Sequence, residues 1–586
     1  MMTATPISVM HRGTLVLLSL AIIALVAFML APVPFITVYH FRYQDLPILI
    51  LVVFLGIILR PALPYLARRL PTKILLSNGR KPAVLLVAIT VFLIAGVGTF
   101  AVFHSFPLSM DEFWARADGE ILATGRPMVP VSVEWLPYAR ALQPIFLRLY
   151  PQPGYWASEY LPVNALIQYV LGPFASPFLA ALSTLLVASI AGRMMPAERH
   201  APLVCAILFA VSSQLLVAAM TPYAMSAHLA FNLAWLWLFL RPRAIAQVSA
   251  AVVGVAAMGL HQFAFFPLFA APFLFEAFLM RRRAIALFQF VTIVAGFLLW
   301  SNYDALLQAI LGVSSAGEAS GTAGLVHKVW ALVSGFGLAS FALTSLNLLR
   351  FCLWQNPVAV PLMLMVSIPL LRRAGWWRAL LGGIVLTTLF MLVVLPFQGH
   401  GWGYRYLHGL LGNLALLATF AFYRLAPSGA QQGEWRAFIA GMTAIAALVL
   451  LPIHMVQAWW QARPYVAADA AISKLDADIV VIDAPAHAYS IDLVRNDPLL
   501  RNRPKRMAYA ELNDGQLERL CRDYKVLLFD ERDAERFGIA RWWSPAESTR
   551  TYPEECSFER FGSLALRSMS FPPQGVAPLS RRLRQN

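Results

Sequence analysis

Charged residues and cysteines are both scarce in this chain. Only 13% of its 586 residues are charged, 59% are hydrophobic, and the mean hydropathy is +0.65, a composition that excludes an ordinary water-soluble enzyme. Its four cysteines form no CxxC or Cys/His cluster, which argues against a zinc site and a disulfide-rich fold. No nucleotide-binding glycine loop and no internal repeat stands out. We therefore expect no metal ion and no cofactor.

Long apolar runs dominate what is present, and several can cross about 30 Å of hydrocarbon. Thirteen spans are predicted, near 13–31, 46–60, 83–103, 166–191, 201–220, 224–240, 244–261, 264–280, 284–301, 356–371, 379–396, 407–424 and 436–456. The first is interpreted as a retained helix after the short basic lead His11 and Arg12. The fold class is thus an all-α polytopic membrane protein. Residues 329–349 are predicted to form an interfacial or re-entrant helix, with an ordinary span as the alternative.

Short basic clusters between the apolar runs set the predicted topology. They lie at Arg68, Arg69, Lys73, Arg80 and Lys81, at Arg193 and Arg199, at Arg241 and Arg243, at Arg281 to Arg283, and at Arg372, Arg373 and Arg378. The positive-inside rule puts these connections in the cytoplasm and loops 104–165 and 302–328 outside. Topology therefore explains the net charge of +16, and no nucleic-acid partner is expected.

The composition changes after residue 456, and residues 463–586 are predicted to form a small soluble α/β domain that faces outward. The aliphatic runs 479–482 and 526–529 flank a charged helical stretch around 511–524, which favours a strand-helix-strand order. In an oxidising compartment Cys521 and Cys556 are expected to form a disulfide, with two free thiols as the alternative. The chain is thus divided into an N-terminal helix pair with its basic loop (1–82), a membrane region (83–462) and this domain (463–586).

Half of the acidic residues before residue 463 fall in the loop 104–165, which we call the acidic loop. They are Asp111, Glu112, Asp118, Glu120, Glu134 and Glu159. A helix is predicted over about 110–124, ending at Gly125. Ser109 and Glu112 match a capping box, so local helix stability is one explanation of the Asp111-Glu112 pair. Its position where a span emerges from the bilayer suggests the other, a catalytic pair, with Glu134 as a second acidic candidate or a solvated loop residue.

Residues 398–408 combine polar, aromatic and glycine residues at the predicted outer surface. Glycines permit close backbone approach, Trp402 and Tyr404 offer faces for sugar stacking, and Arg405 can contact a phosphate. The remaining candidates here and elsewhere are His400, His408, Arg350 and His261. An interfacial aromatic belt is the alternative for this loop, and a polar residue satisfying helix ends is the alternative for His261.

The Asp111-Glu112 pair, the dozen or so spans, the stretch from Gly259 to Gln262 and the outward C-terminal domain together resemble the GT-C superfamily of membrane glycosyltransferases. The similarity is strongest to the branch with protein O-mannosyltransferases and aminoarabinose transferases, and it covers roughly residues 83–456. It implies a polyprenyl-phosphate-linked sugar as donor, inverting transfer, Asp111 as general base and Glu112 as an orienting residue. Here the acidic loop follows the third span, whereas the family usually places it after the first.

Three functions remain open from the sequence. The first is sugar transfer to a glycan, lipid or protein acceptor at the periplasmic or extracellular face of a bacterial inner membrane. The second is a transporter or flippase for a lipid-linked glycan, which needs polar groups near the bilayer midplane. The third is a non-catalytic assembly protein that binds an outer partner through its C-terminal domain.

Overall fold

The structure is a computed structural model that describes most of the membrane region and most of the C-terminal domain. The described residues are 36–69, 80–152, 154–313, 333–372, 374–427 and 431–541, together with Leu15, 18–23, 25–29, Trp330, Tyr552, Cys556 and 559–560. His11, Arg12, Lys73, Arg373 and all of 314–329, for which the sequence makes predictions, lie outside them.

Helices dominate the described chain. Their bounds are Ile36–His40, Leu46–Arg69, Arg80–Ala101, Met110–Ala123, Ala139–Leu142, Pro162–Leu171, Ala175–Met194, Ala201–Ala210, Ser213–Ala218, Met225–Phe239, Ala244–Met258, Phe265–Leu279, Arg283–Ser301, Tyr303–Leu311, Leu338–Leu353, Ala359–Leu371, Trp376–Val394, Leu411–Arg424, Gln431–Ile445, Leu451–Ile472, Asp514–Asp523 and Glu531–Phe537. π-Helical turns at Phe41–Asp45 and Ala446–Leu450 join neighbouring helices into longer rods. The segment Arg405–Leu410 is a 3-10 helix.

Within the described residues, seven helical rods are long and apolar enough to cross a membrane. They are Ile36–Leu59, Lys81–Ala101, Pro162–Met194, Arg283–Ser301, Trp376–Val394, Arg405–Arg424 and Gln431–Ile472. Other predicted spans are shorter apolar helices of 10–17 residues. The predicted span 201–220 is divided in two, because the Ser212 side chain caps a new helix at Leu215 N, 3.1 Å away. The predicted fold class, a helical polytopic membrane protein with a small sheet region near its C-terminus, is confirmed.

The basic connections gather at one end of the helix bundle, which we call the basic end. Arg193 donates to Leu240 O at 3.4 Å, and Arg282 lies 5.6 Å from the Trp376 ring. Glu276 pairs with Arg378 and accepts from Gly375 N at 2.7 Å. The acidic loop lies at the opposite end of the bundle, which we call the site end because it carries the candidate site residues of this loop.

The helix Leu338–Leu353 ends at the site end. Arg350 donates to backbone oxygens of residues 401 and 403, and Trp354 O accepts from Gln214 N at 3.2 Å. The next helix then leads to Gly375 at the basic end. The C-terminal end of this helix therefore lies at the site end, where the sequence predicts an interfacial or re-entrant helix.

The acidic loop contains a small antiparallel sheet after its helix. The strands are β1 (Val129–Pro130), β2 (Leu147–Tyr150) and β3 (Tyr155–Ser158), in the order β1-β3-β2. These strands have two to four residues each, too short for a periodic pattern to predict them.

The C-terminal region is a four-stranded parallel sheet with helices. Its strands β4 (Ile479–Asp483), β5 (Lys505–Ala508), β6 (Val526–Asp530) and β7 (Glu559–Arg560) lie in the order β5-β4-β6-β7. Both predicted strand segments and the predicted helix between them are confirmed. Cys521 and Cys556 are joined in a disulfide with their Cα atoms 5.3 Å apart, as predicted.

This sheet shares a hydrophobic core with the acidic loop. Trp114 and Trp156 of the loop belong to the same buried cluster as Ile479, Val481 and Met507. The Trp156 indole also donates to Pro498 O at 3.0 Å. The C-terminal region thus packs directly on the acidic loop and lies at the site end.

Candidate active site

The acidic loop helix, Met110–Ala123, fixes the position of the acidic pair. The Ser109 side chain caps it by accepting from Glu112 N at 3.4 Å, and Gly125 beyond its end has φ +76°, as predicted for a left-handed cap. In a capping box the Glu112 side chain would also accept from Ser109 N. Here the Glu112 carboxylate accepts from Leu108 N instead. Adjacent helix residues lie about 100° apart, so the two carboxylates face different surroundings.

Asp111 forms the centre of a compact polar cluster. Its Oδ2 lies 2.6 Å from Arg405 Nη1, and its Oδ1 accepts from the Tyr160 hydroxyl. Burial alone would raise the pKa of Asp111, but the Arg405 charge, His261 and the hydrogen bonds from Tyr160 and Arg405 outweigh it and lower that pKa. Asp111 is therefore an anion at neutral pH, with a side chain that is 12% exposed.

A small cavity of about 10 Å³ opens beside this cluster. Asp111, Tyr160, Tyr223 and His261 line it. The His261 ring lies 4.2 Å from the Tyr160 ring, and burial, only partly offset by Asp111, lowers the pKa of His261 to about 4. His261 is therefore a neutral imidazole that can exchange hydrogen bonds with a bound group without adding charge.

Glu112 faces away from this cavity into the protein. It is fully buried, and desolvation raises its pKa to about 8 despite the Leu108 N–H bond and the nearby Arg495 and Arg116 charges. Its Oε1 has no hydrogen-bond partner among the described residues. Glu112 is thus a neutral acid at pH 7, enclosed beneath the helix start.

The loop that carries Arg405 is held by amide side chains. Gln398 donates to Gly403 O at 2.9 Å and accepts from Arg405 N at 3.0 Å. Gln214 donates to Tyr404 O at 2.8 Å. Gly403 has φ +69°, and a Cβ there would lie 2.4 Å from Gln214 Oε1, so that only glycine fits. We call residues 398–404 the glycine loop.

Two arginines contact the glycine loop in different ways. Arg350 is fully buried and uses all its nitrogens on Asp45, Gln44, Gly401 O and Gly403 O, at 3.0–3.3 Å. Arg405 Nη1 binds Asp111 and His400 O, whereas its Nε has no partner among the described residues. Of the two phosphate candidates, Arg405 therefore has a donor left for a ligand.

The rings of the glycine loop pack inside the protein. Trp402 is 2% exposed and lies edge-on to Phe103, and Tyr404 is fully buried against Tyr406. Neither ring faces the Asp111 cavity, so the structure does not bring them to a position for sugar stacking there. His408 is also buried, and neither of its ring nitrogens has a partner among the described residues.

His400 links the glycine loop to the C-terminal region. Its Nε2 lies 3.2 Å from Asp492 Oδ2, and its Nδ1 lies 3.1 Å from Gln461 Nε2. Its backbone oxygen accepts from Tyr223 at 3.1 Å as well as from Arg405. The imidazole is thus turned away from Asp111, while the backbone of the same residue supports Arg405.

Glu134 lies at a different place from the other candidates. It is exposed, and it accepts from the Tyr524 hydroxyl of the C-terminal region. The structure therefore brings Asp111, Arg405 and His261 together, places Glu112, Arg350 and His400 behind them, and leaves Glu134 at the outer edge of the contact between loop and sheet.

Sequence reasoning missed Tyr160, Tyr223, Asp45 and Asp492, which complete these contacts. Asp45 had a usable signal, because an acidic residue within an apolar helix needs a partner. The two tyrosines and Asp492 carry no local pattern and are recognised only through contacts across the fold. Among the described residues, no group of three His, Cys, Asp or Glu side chains could hold a metal ion.

Comparisons with known proteins find similarity to solved structures only. No family model matches the chain, and no curated protein matches it. The chain is similar to the crystal structure of ArnT from Cupriavidus metallidurans bound to undecaprenyl phosphate, with 14% identity and a TM-score of 0.42, covering 69% of this chain and 84% of that one. For the apo state of the same protein the values are 15%, 0.39, 74% and 91%.

Proposed function

We propose that this protein is an inverting, metal-independent glycosyltransferase that moves a sugar from a polyprenyl-phosphate carrier to an acceptor hydroxyl or amine. The observation that carries the proposal is the contact between Asp111 and Arg405, 2.6 Å long and beside a cavity at the site end. An ionised carboxylate and a cation with an unpaired donor are the two groups that the reaction requires.

The reaction can be written on these residues. Asp111 removes the proton from the acceptor hydroxyl as that oxygen forms a bond to the anomeric carbon of the sugar. The bond from this carbon to the phosphate oxygen breaks, and the electron pair leaves with the phosphate. The guanidinium of Arg405 balances the charge of the departing phosphate.

Tyr160 and His261 have supporting roles in this scheme. Burial and Asp111 raise the pKa of Tyr160 far above its ordinary value, so its hydroxyl remains a donor that orients the Asp111 carboxylate. His261 stays neutral and can accept or donate to a sugar hydroxyl.

The arrangement of charge supports an active site on the outer face of a bacterial inner membrane. The basic connections lie at the end opposite to Asp111, and such connections remain in the cytoplasm. The test is a Val133→Cys variant, since Val133 is 86% exposed on the acidic loop. We expect an impermeant maleimide to label it in intact spheroplasts. Labelling only after the membrane is broken would contradict this orientation.

Transfer is tested with purified protein in liposomes that contain radiolabelled sugars on undecaprenyl phosphate, the lipid bound in the ArnT structure. A bacterial envelope extract supplies acceptors. We expect Asp111→Asn to lower transfer by about 100-fold to 10,000-fold while the protein stays folded. Glu120→Gln, an exposed acid of the same helix, is the control. Transfer by Asp111→Asn at the normal rate would remove Asp111 as the base, and the absence of any transfer with the unaltered protein would refute the function.

A further inference from the structure

The long helical rod Gln431–Ile472 extends beyond the bilayer. Its 42 residues measure about 63 Å at 1.5 Å per residue, roughly twice the 30 Å hydrocarbon thickness. Because the rod begins at the basic end, its residues from about 456 onward stand outside the hydrocarbon. We call residues 456–465 the exit segment.

The exit segment forms one wall of a second cavity, of about 220 Å³. The N-terminal segment around Tyr39 and Gln44 forms another wall, and Ala488 and Tyr489 of the C-terminal region form the third. None of the residues that line it also lines the Asp111 cavity.

The lining combines aromatic rings with side-chain amides. Tyr39, Trp460 and Tyr489 supply rings, and Gln44, Gln457 and Gln461 supply amides. Among the described lining residues there is no Asp, Glu, Lys or Arg. Aromatic rings pack against the C–H faces of a pyranose, and amides both donate to and accept from hydroxyl groups. The chemistry therefore fits an uncharged sugar better than an ion.

One amide of the lining is left with an unused acceptor. Gln461 lies 3.1 Å from His400 Nδ1 and accepts from Gln44 at 3.2 Å. The oxygen of Gln457, in contrast, is enclosed without a hydrogen-bond partner among the described residues. An enclosed polar atom of this kind costs stability unless something binds it, and a ligand hydroxyl would do so.

Tyr489 separates this cavity from the reacting groups by a single layer of backbone. Its ring lies 3.6 Å from the His400 ring. A Cβ placed on Gly399 would lie 3.9 Å from both the Tyr489 hydroxyl and Arg405 Nη2. Tyr489 has φ +52°, a conformation that costs about 1–3 kcal/mol for a non-glycine residue and recurs at ligand sites.

We propose that this cavity binds a neutral pyranose ring of the acceptor, with Gln457 and Tyr489 as its recognising residues. The inference rests on the proposed function, because it assigns the acceptor to a site next to the base and names its class as a glycan. The C-terminal region then contributes directly to acceptor binding through Tyr489.

Binding is measured directly with an Ala540→Cys variant of the full chain, because Ala540 lines the cavity, is partly exposed and has no role in the proposed recognition. The native cysteines do not interfere, because Cys205 and Cys352 are buried and Cys521 is bonded to Cys556. We expect methyl glycosides of glucose, galactose and mannose at high concentration to slow maleimide labelling at position 540 at least threefold, and to leave a Val133→Cys control unchanged. Equal labelling with and without glycosides, or protection by n-decanol alone, would overturn the proposal in favour of an ordinary lipid-facing aromatic surface.

A second measurement separates acceptor binding from the transfer chemistry. We expect Gln457→Ala to raise the acceptor concentration for half-maximal transfer about tenfold, equivalent to one hydrogen bond of roughly 1.4 kcal/mol. Transfer at saturating acceptor measures the chemistry separately and should recover most of the rate of the unaltered protein. An unchanged acceptor dependence would reject the acceptor site and leave the proposed function intact, whereas a rate at saturating acceptor that falls as far as the rate at low acceptor would contradict the separation of the two cavities.

Discussion

Two arginine-carboxylate pairs contact the glycine loop, and they differ in how deeply they are buried and in how many of their donors are hydrogen-bonded. Arg350 and Asp45 are 1% and 2% exposed in their side chains, and the guanidinium is fully hydrogen-bonded within the protein. Arg405 and Asp111 are 15% and 12% exposed, and each lines a cavity, Asp111 together with Tyr160 and Arg405 together with His228 and Tyr406. Charge is common to both pairs, so exposure and contact with a cavity are what make Arg405, and not Arg350, the candidate for ligand binding.

Apart from Asp111, the residue of the two pairs whose replacement is expected to lower transfer most is Arg405. We expect Arg405→Gln to reduce transfer about 100-fold to 1,000-fold, because one preorganised donor to the leaving phosphate is lost. Its thermal midpoint in detergent should change little, because the side chain is partly exposed. Initial rates at saturating donor, compared with the unaltered protein, check this. Full activity in Arg405→Gln would make the two pairs equivalent.

Replacing the buried Arg350 should mainly lower the stability of the protein, whereas replacing Arg405 should mainly lower transfer. We expect Arg350→Met to destabilise the protein by about 3–5 kcal/mol, because Asp45 is left as an unpaired buried charge. The double variant Arg350→Met with Asp45→Leu should recover much of that loss. Denaturation followed in detergent measures both variants. If the single variant were as stable as the unaltered protein but unable to transfer sugar, Arg350 would belong to the site.

The two acids of the loop helix allow a smaller test based on pH. Burial raises the pKa of Glu112 to about 8, so the folded protein holds a proton that the unfolded chain has released above about pH 4.5. Folding stability should therefore fall as the pH rises through this window to about 8. We expect the thermal midpoint to decrease by several degrees from pH 6 to pH 9, and to decrease less in Glu112→Gln. An identical decrease in both proteins would contradict the assignment.

The smallest effect is expected at the outer edge of the acidic loop. Glu134 is exposed and contacts Tyr524, so Glu134→Gln should change the stability by less than about 0.5 kcal/mol and leave the transfer rate within twofold. The same measurements with Tyr524→Phe give the matched control. A tenfold loss of transfer in Glu134→Gln would show that the site extends further than the Asp111–Arg405 pair.

Local signals in the sequence predicted much of the fold. The loop helix was predictable because Ser109 and Gly125 mark its ends, and β4 and β6 because their aliphatic runs are short and flanked by a charged helix. The ion pair of Arg350 with Asp45 was not predictable, because the two residues lie 305 positions apart in the sequence. The ion pair of Glu276 is distant in the same way, because Glu276 binds Arg378 across the bundle, 102 residues further along the chain.

The candidate site was predictable in its residue types and less so in their roles. Asp111 and Arg405 were recognised because carboxylates and a cation with glycines are rare in so apolar a chain. The inward orientation of Trp402 and Tyr404 could not be predicted from the sequence. The local sequence around an aromatic residue is the same whether its ring lies at the membrane surface or is buried under a loop. Burial depends on which elements pack above a residue, and this is decided by contacts distant in sequence.

Arg495 has a consequence for how the protein is made. Its guanidinium, in the C-terminal region, donates to Leu108 O at 2.6 Å and to Pro107 O, at the start of the loop helix, across 387 residues of chain. The carbonyls that precede Asp111 therefore find this donor only after the chain has been synthesised as far as Arg495. The start of the loop helix is accordingly held by a contact that forms late in synthesis.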